Sequence, residues 1–187
     1  MGLKSKWIEF LYTSATNTKR IRTILTPLGA IIFGLFTFIF VYLAIQCDNF
    51  FNLPKMFTFP INLYISIPLI FPGLLLTGWS VIYFLKVKGT PVPINPPPKL
   101  VNTGPYAYTR NPMLTGIFFL LFGIGFLIGS ISLIFIFTPL FILINTWELK
   151  MIEEPELSKR LGEQYDDYRN KTPMFFPGIK LKVKRNT

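Results

Sequence analysis

The chain has 187 residues, 51% of them hydrophobic, a mean hydropathy of +0.47 and a formal net charge of +10. A soluble domain of that size and composition would leave large apolar patches exposed, so the chain reads as one small all-α membrane domain over residues 1–187. One cysteine, Cys47, excludes an internal disulfide, and with no histidine present neither zinc nor haem finds a ligand set.

The positive charge does not point to nucleic acid, because it is segregated along the chain. Lys4, Lys6, Lys19, Arg20 and Arg22 precede the first apolar run, Lys86, Lys88, Lys99 and Arg110 lie between the second and third, and most of the rest follow Lys150. Only Lys55 falls in the intervening loop. Basic residues in every second connection are the pattern of cytoplasmic loops facing anionic head groups, so both termini are expected to be cytoplasmic.

In chain order, residues 1–23 are expected to hold an interfacial helix. Leu3, Trp7, Ile8 and Leu11 share one face of it, opposite Lys4 and Lys6. The membrane region is expected over 24–149. Its first span runs from about Ile24 to Gln46, close to the roughly 20 residues that cross a bilayer core. A short outer loop carries Phe50, Phe51 and Phe57. The second span, about Ile61 to Leu85, contains Pro68 and Pro72, which predict a kink or local unwinding. A polar connector over 86–112 includes a proline-rich strap, Val87 to Pro98, which cannot form a helix.

Met113 to Trp147 carries no charge and is interrupted by Gly129-Ser130, so it reads as a tight hairpin of two short spans, about Met113–Ile128 and Ile131–Trp147. Its glycines, among them Gly116 and Gly123, permit close helix approach. From Lys150 the chain is expected to leave the membrane as a cytoplasmic helix and basic tail, 150–187. Glu153-Glu154-Pro155 would be that helix's start, and Met174 to Pro177 an apolar return to the membrane.

Two polar islands flank the hairpin, and folding it would bring both to one membrane face. The first contains Gly104-Pro105, a turn, then Tyr106, Tyr108 and Arg110, then Asn111 as N-cap and Pro112 as the first residue of the next helix. The second runs from Glu148 to Glu156. Taken singly, these residues have plain structural readings: Arg110 as a membrane-interface anchor, the tyrosines as an aromatic belt, the glutamates as helix-start charges.

Taken together, Lys99-Leu-Val…Gly104-Pro-Tyr106…Arg110-Asn-Pro-Met113…Gly116, the hairpin, and Glu153-Glu-Pro-x-Leu157…Gly162-x-x-Tyr165…Tyr168…Pro173 resemble the small integral-membrane methyltransferases. These include isoprenylcysteine carboxyl methyltransferase and the phospholipid N-methyltransferases. The likeness covers about residues 61 to 177. It implies S-adenosylmethionine as methyl donor, with Leu100, Val101, Gly104, Tyr106, Arg110, Asn111, Pro112 and Met113 forming one wall of its site and Glu153 and Glu154 the other. Arg110, Glu153 and Glu154 would be the catalytic charges.

Asn111 matches the phospholipid enzymes, where the isoprenylcysteine enzymes carry His. Leu114 departs from the Tyr usual after Met. The acceptor is expected to be a lipid or other lipophilic molecule, an amine or a carboxylate, and residue chemistry alone serves either. Two other classes share part of the pattern: an NADPH-dependent membrane reductase, for which no glycine-rich dinucleotide fingerprint is present, and a non-catalytic membrane scaffold.

Overall fold

The computed structural model describes residues 3–16, 19–87 and 99–176. The proline-rich strap and the basic tail fall outside them. All regular structure among the described residues is helical: α1 (Leu3–Thr16), α2 (Lys19–Phe50), α3 (Ile61–Lys86), α4 (Pro112–Ile128), α5 (Thr138–Glu148), α6 (Glu154–Leu161) and α7 (Glu163–Lys171). A short 3₁₀ turn occupies Gly104–Ala107, and π turns occupy Leu133–Phe137 and Leu149–Glu153. Three helical segments, Thr26–Phe50, Ile61–Lys86 and Leu133–Leu161, are long and apolar enough to cross a membrane. The apolar α4 is shorter, and its 17 residues span about 25 Å. The protein is an all-α integral membrane protein.

The closest packing joins α3 to α4. A Cβ on Gly116 would lie 2.8 Å from both the Gly73 carbonyl oxygen and the Thr77 nitrogen, so only glycine lets the two backbones meet there. On the other side of α4, a cluster of Phe40, Phe118, Leu121 and Phe141 ties α2, α4 and α5 together. Phe141 stacks on Phe36 at 5.4 Å and meets the edge of Phe40 at 5.2 Å. Lipid covers the outward faces, which display Ile31, Leu35 and Phe38 on α2 and Phe71, Leu74 and Leu75 on α3.

The outer end of the hairpin is pinned by polar contacts. Gly129 ends α4 in the left-handed conformation. Asp48, at the end of α2, accepts hydrogen bonds from the Ser132 N–H at 3.0 Å and from the Ser130 hydroxyl. This carboxylate satisfies an N–H that the start of the next helix would otherwise leave open.

Three expectations need correction. The chain does not restart as a separate helix at Glu153. Residues 131–161 are one continuous helical path, and the junction residues Glu148, Leu149, Glu153 and Glu154 all have right-handed helical dihedrals. The π turn supplies the continuity, because each backbone N–H there reaches a carbonyl one residue further back. Second, of the kink or local unwinding expected at Pro68 and Pro72, the unwinding is absent, since α3 is helical through both. Third, α1 does not turn one uniform apolar face to lipid. Leu11 is buried while Trp7 remains half exposed, because α1 packs along α6 and the second π turn.

Candidate functional site

The C-terminal end of α3 holds the first polar island in place. Gly104 has φ +61°, and a Cβ there would fall 2.5 Å from the Tyr83 ring, so glycine is required on both counts. The Tyr83 and Thr103 hydroxyls share a hydrogen bond of 2.6 Å. Tyr106 is only 5% exposed and meets Phe84 edge to face at 4.8 Å. Its π-face is therefore packed away, and Tyr108, 62% exposed, points outward. The two tyrosines do not form the open aromatic pair that their spacing suggests.

Asn111 and Pro112 hold the predicted N-cap and first-turn positions, but the Asn111 side chain makes no cap bond. It donates instead to the Met174 carbonyl at 3.3 Å, which also accepts from the Asn111 N–H at 3.1 Å and from the Thr109 hydroxyl at 2.8 Å. The Arg110 N–H donates to the Pro173 carbonyl at 2.9 Å, and the Thr115 hydroxyl to the Phe175 carbonyl at 3.2 Å. Phe175 then packs on Phe118 at 5.1 Å. The apolar return segment is thus stitched to the mouth of α4 by four polar residues, an arrangement that spacing alone does not reveal.

At the centre, the two islands meet. Arg110 Nη1 lies 2.8 Å from Glu154 Oε1, and each side chain is only 12% exposed. The contact is ionic, not an aligned hydrogen bond. Arg110 Nε and Nη1 and Glu154 Oε1 are all shut off from solvent; Nη1 and Oε1 face each other, and Nε has no hydrogen-bond partner among the described residues. Buried polar atoms in that state retain capacity for a ligand of matching charge.

Nearby, Glu156 is paired with Arg160 Nε at 2.8 Å. Among the described residues neither Glu148 nor Glu153 forms an ion pair. Glu153 is half-buried and close enough to act electrostatically on Tyr106 and Tyr165. Burial raises the pKa of Tyr106, Tyr165 and Tyr168 well above the ordinary phenol range, and the neighbouring Glu153 and Glu154 carboxylates push Tyr165 the same way. All three phenols therefore remain hydrogen-bond donors. Tyr168 uses its own on the Tyr106 carbonyl, at 2.7 Å.

At Tyr168 opens a cleft of about 790 Å³, whose lining does not include Arg110, Glu153 or Glu154. Lys99, Leu100 and Asn102 form one side, and Gln164, Tyr168 and Lys171 of α7 face them. Of the residues expected in the donor site, Leu100 lines this cleft. Val101 and Met113 are half-buried, Pro112 is buried at the start of α4, and Gly104 is committed to Tyr83. The contribution of α7 was missed. Gln164, Tyr168 and Lys171 recur at helical spacing, but the aromatic repeat of Tyr165 and Tyr168 reads first as a core-facing stripe. Among the described residues no group of three or more His, Cys, Asp or Glu is placed to hold a metal ion.

A family model described as phospholipid methyltransferase matches residues 61–164, from the start of α3 into α7. A nickel-cobalt-cadmium resistance protein, NccN, of Alcaligenes xylosoxydans xylosoxydans is 32% identical over 103 residues. That match takes in 55% of this chain and 44% of the relative, so the chain spans less than half of the relative's length. No solved structure matches.

Proposed function

The chain belongs to the phospholipid methyltransferase family, and on that footing we propose that it transfers a methyl group from S-adenosylmethionine to a lipophilic amine at the cytoplasmic end of α4 and α6. The observation that carries this reading is the contact between Arg110 and Glu154. It sets opposite charges, one from each polar island, against each other in a buried centre, with Arg110 Nε still unpartnered among the described residues.

Those two side chains fit the amino-acid end of the donor. Arg110 would take its carboxylate through the planar fork of the guanidinium, and Glu154 its ammonium. The polar cleft between Leu100 and Tyr168 would take the nucleoside. S-adenosylmethionine supplies, when bound, a methyl group on a positively charged sulfur.

The unpaired carboxylates favour an amine over a carboxylate as acceptor. Among the described residues Arg110 and Arg160 are matched by Glu154 and Glu156, whereas Glu148 and Glu153 have no ion-pair partner. A carboxyl group held without a cation partner takes up a proton readily, which an amine acceptor requires and a carboxylate acceptor does not. Glu153 accepts the proton that an ammonium must shed before its nitrogen is nucleophilic. Residues 109–115 and 173–175, locked together, exclude water and fix the approach, and positioning supplies most of the acceleration in such a displacement. The basic residues at this end of the spans support a cytoplasmic side for both termini.

The test is methyl transfer from labelled S-adenosylmethionine by purified protein in lipid nanodiscs, offered an aminophospholipid or a fatty acid. Label in a base-stable N-methyl product is expected. A base-labile ester product would overturn the amine reading, and no donor binding would overturn the whole.

A further inference from the structure

We propose that α1, which lies outside the family-matched region, is an anionic-lipid-binding brace that holds α6 in position. One flank of α1 is fastened to the path that carries Glu153 and Glu154. Glu9 Oε2 meets Lys159 Nζ at 2.6 Å, and the same ammonium sits 4.2 Å above the Tyr12 ring. Lys4 Nζ reaches Met151 Sδ at 3.8 Å, and Leu11 is buried between these contacts. Lys159 follows Glu154 by little more than one helical turn, so this clasp sets where Glu154 stands.

Among the described residues nothing covers the other flank. Trp7 and Phe10 are each 50% exposed and meet edge to face at 5.7 Å, with exposed Lys6 beside them. The occupant is a bilayer surface, on three grounds. The first membrane-spanning segment starts at Thr26, a short distance after α1 ends, so α1 lies at the boundary of the bilayer. A tryptophan–phenylalanine pair flanked by lysine suits the interface, where amphipathic rings sit among head groups. Lys6, exposed on this flank, and the basic sequence Lys19-Arg20-Ile21-Arg22 that opens α2 favour anionic head groups, at about fivefold per basic side chain near the surface.

The brace part of the proposal rests on the site reading above, because only there does the position of Glu154 matter. The lipid part does not, and its readouts need no methyl transfer. Trp79→Phe/Trp147→Phe leaves Trp7 as the single tryptophan. In nanodiscs containing lipids brominated near the head group, its fluorescence should be quenched. Adding phosphatidylglycerol to phosphatidylcholine should increase that quenching by about twofold. An unquenched Trp7, or quenching indifferent to phosphatidylglycerol, overturns the lipid assignment.

For the brace, amide hydrogen exchange in 154–161 should accelerate by about three- to tenfold in Glu9→Lys, which loses the ion pair and repels Lys159. The swap Glu9→Lys/Lys159→Glu should restore slow exchange. Unchanged exchange in Glu9→Lys, or no rescue by the swap, overturns the brace. S-adenosylmethionine affinity should follow the exchange rates. If exchange and quenching behave as stated but no variant, wild type included, binds the donor, it is the site reading that fails.

Discussion

Replacing both members of the central ion pair separates its structural role from its chemical one. At 2.8 Å, two unit charges in an environment of effective dielectric about 20 attract with about 6 kcal/mol before desolvation is counted. Most of that gross attraction is offset by the loss of water around both groups. The net value is better read from what remains when one partner is removed. Arg110→Met leaves Glu154 as an uncompensated buried carboxylate, and Glu154→Met leaves Arg110 as an uncompensated buried cation. With each side chain 12% exposed, each change should cost about 3 kcal/mol, the low end for a broken buried pair. That corresponds to a fall of about 6–12 °C in melting temperature for a chain of this size.

Arg110→Met/Glu154→Met together removes both charges and leaves neither orphaned. Its stability should return to within about 1 kcal/mol of the wild type. Donor binding should not return, because two charge-assisted hydrogen bonds are gone and each is worth about 1.5–3 kcal/mol, for a combined loss of more than a hundredfold. The assays are thermal unfolding in detergent and calorimetric titration with S-adenosylmethionine, on the same preparations. A double variant that is stable and binds the donor with wild-type affinity would show that the pair is only a structural staple. Single variants as stable as the wild type would show that it is not a buried pair.

The same centre predicts that Glu154→Gln, nearly isosteric, weakens donor binding by about tenfold to more than a hundredfold. Isothermal titration of that variant measures it. Gly116→Ala should lower stability by about 1–3 kcal/mol by pushing α3 off α4, whereas Gly34→Ala, which meets nothing within 4 Å, should stay within about 0.5 kcal/mol in the same melting assay. Asn111→Ala should loosen the return segment by about 0.5–1.5 kcal/mol, read as faster exchange of the Arg110 and Asn111 amides, which are bonded to it. Tyr106, Tyr165 and Tyr168 have raised pKa values in the fold, so the folded state retains protons that the unfolded chain releases. The stability they contribute is intact below the ordinary phenol pKa of about 10 and declines as pH rises above it. Absorbance at 295 nm during alkaline titration should therefore fall short, before unfolding, by the amplitude of three of the eight tyrosines. Reporter fusions after residues 55 and 187 should report opposite sides of the membrane.

What the sequence determined by itself was the placing of helices and of polar islands. Hydrophobic runs of bilayer length, bounded by Pro60 before α3, Asn111-Pro112 before α4 and Gly129 after it, fix element ends through local backbone chemistry. The order of Arg110-Asn-Pro-Met113 and Glu153-Glu154, on either side of a charge-free hairpin, was enough to bring two islands to one end. Tertiary structure decided what each side chain does there. Asn111 was legible as a cap but is spent on Met174, because a carbonyl more than sixty residues away in sequence competes for its amide. Tyr106 was legible as an aromatic near the site, but its ring is buried in an edge-to-face pair with Phe84. The direction of Glu154 was out of reach of any periodicity argument. Two π turns precede it, and each adds a residue to a helical turn, rotating all that follows by about 100° against an ideal α-helix. Only the packed structure fixes that rotation, and with it the contact between Glu154 and Arg110.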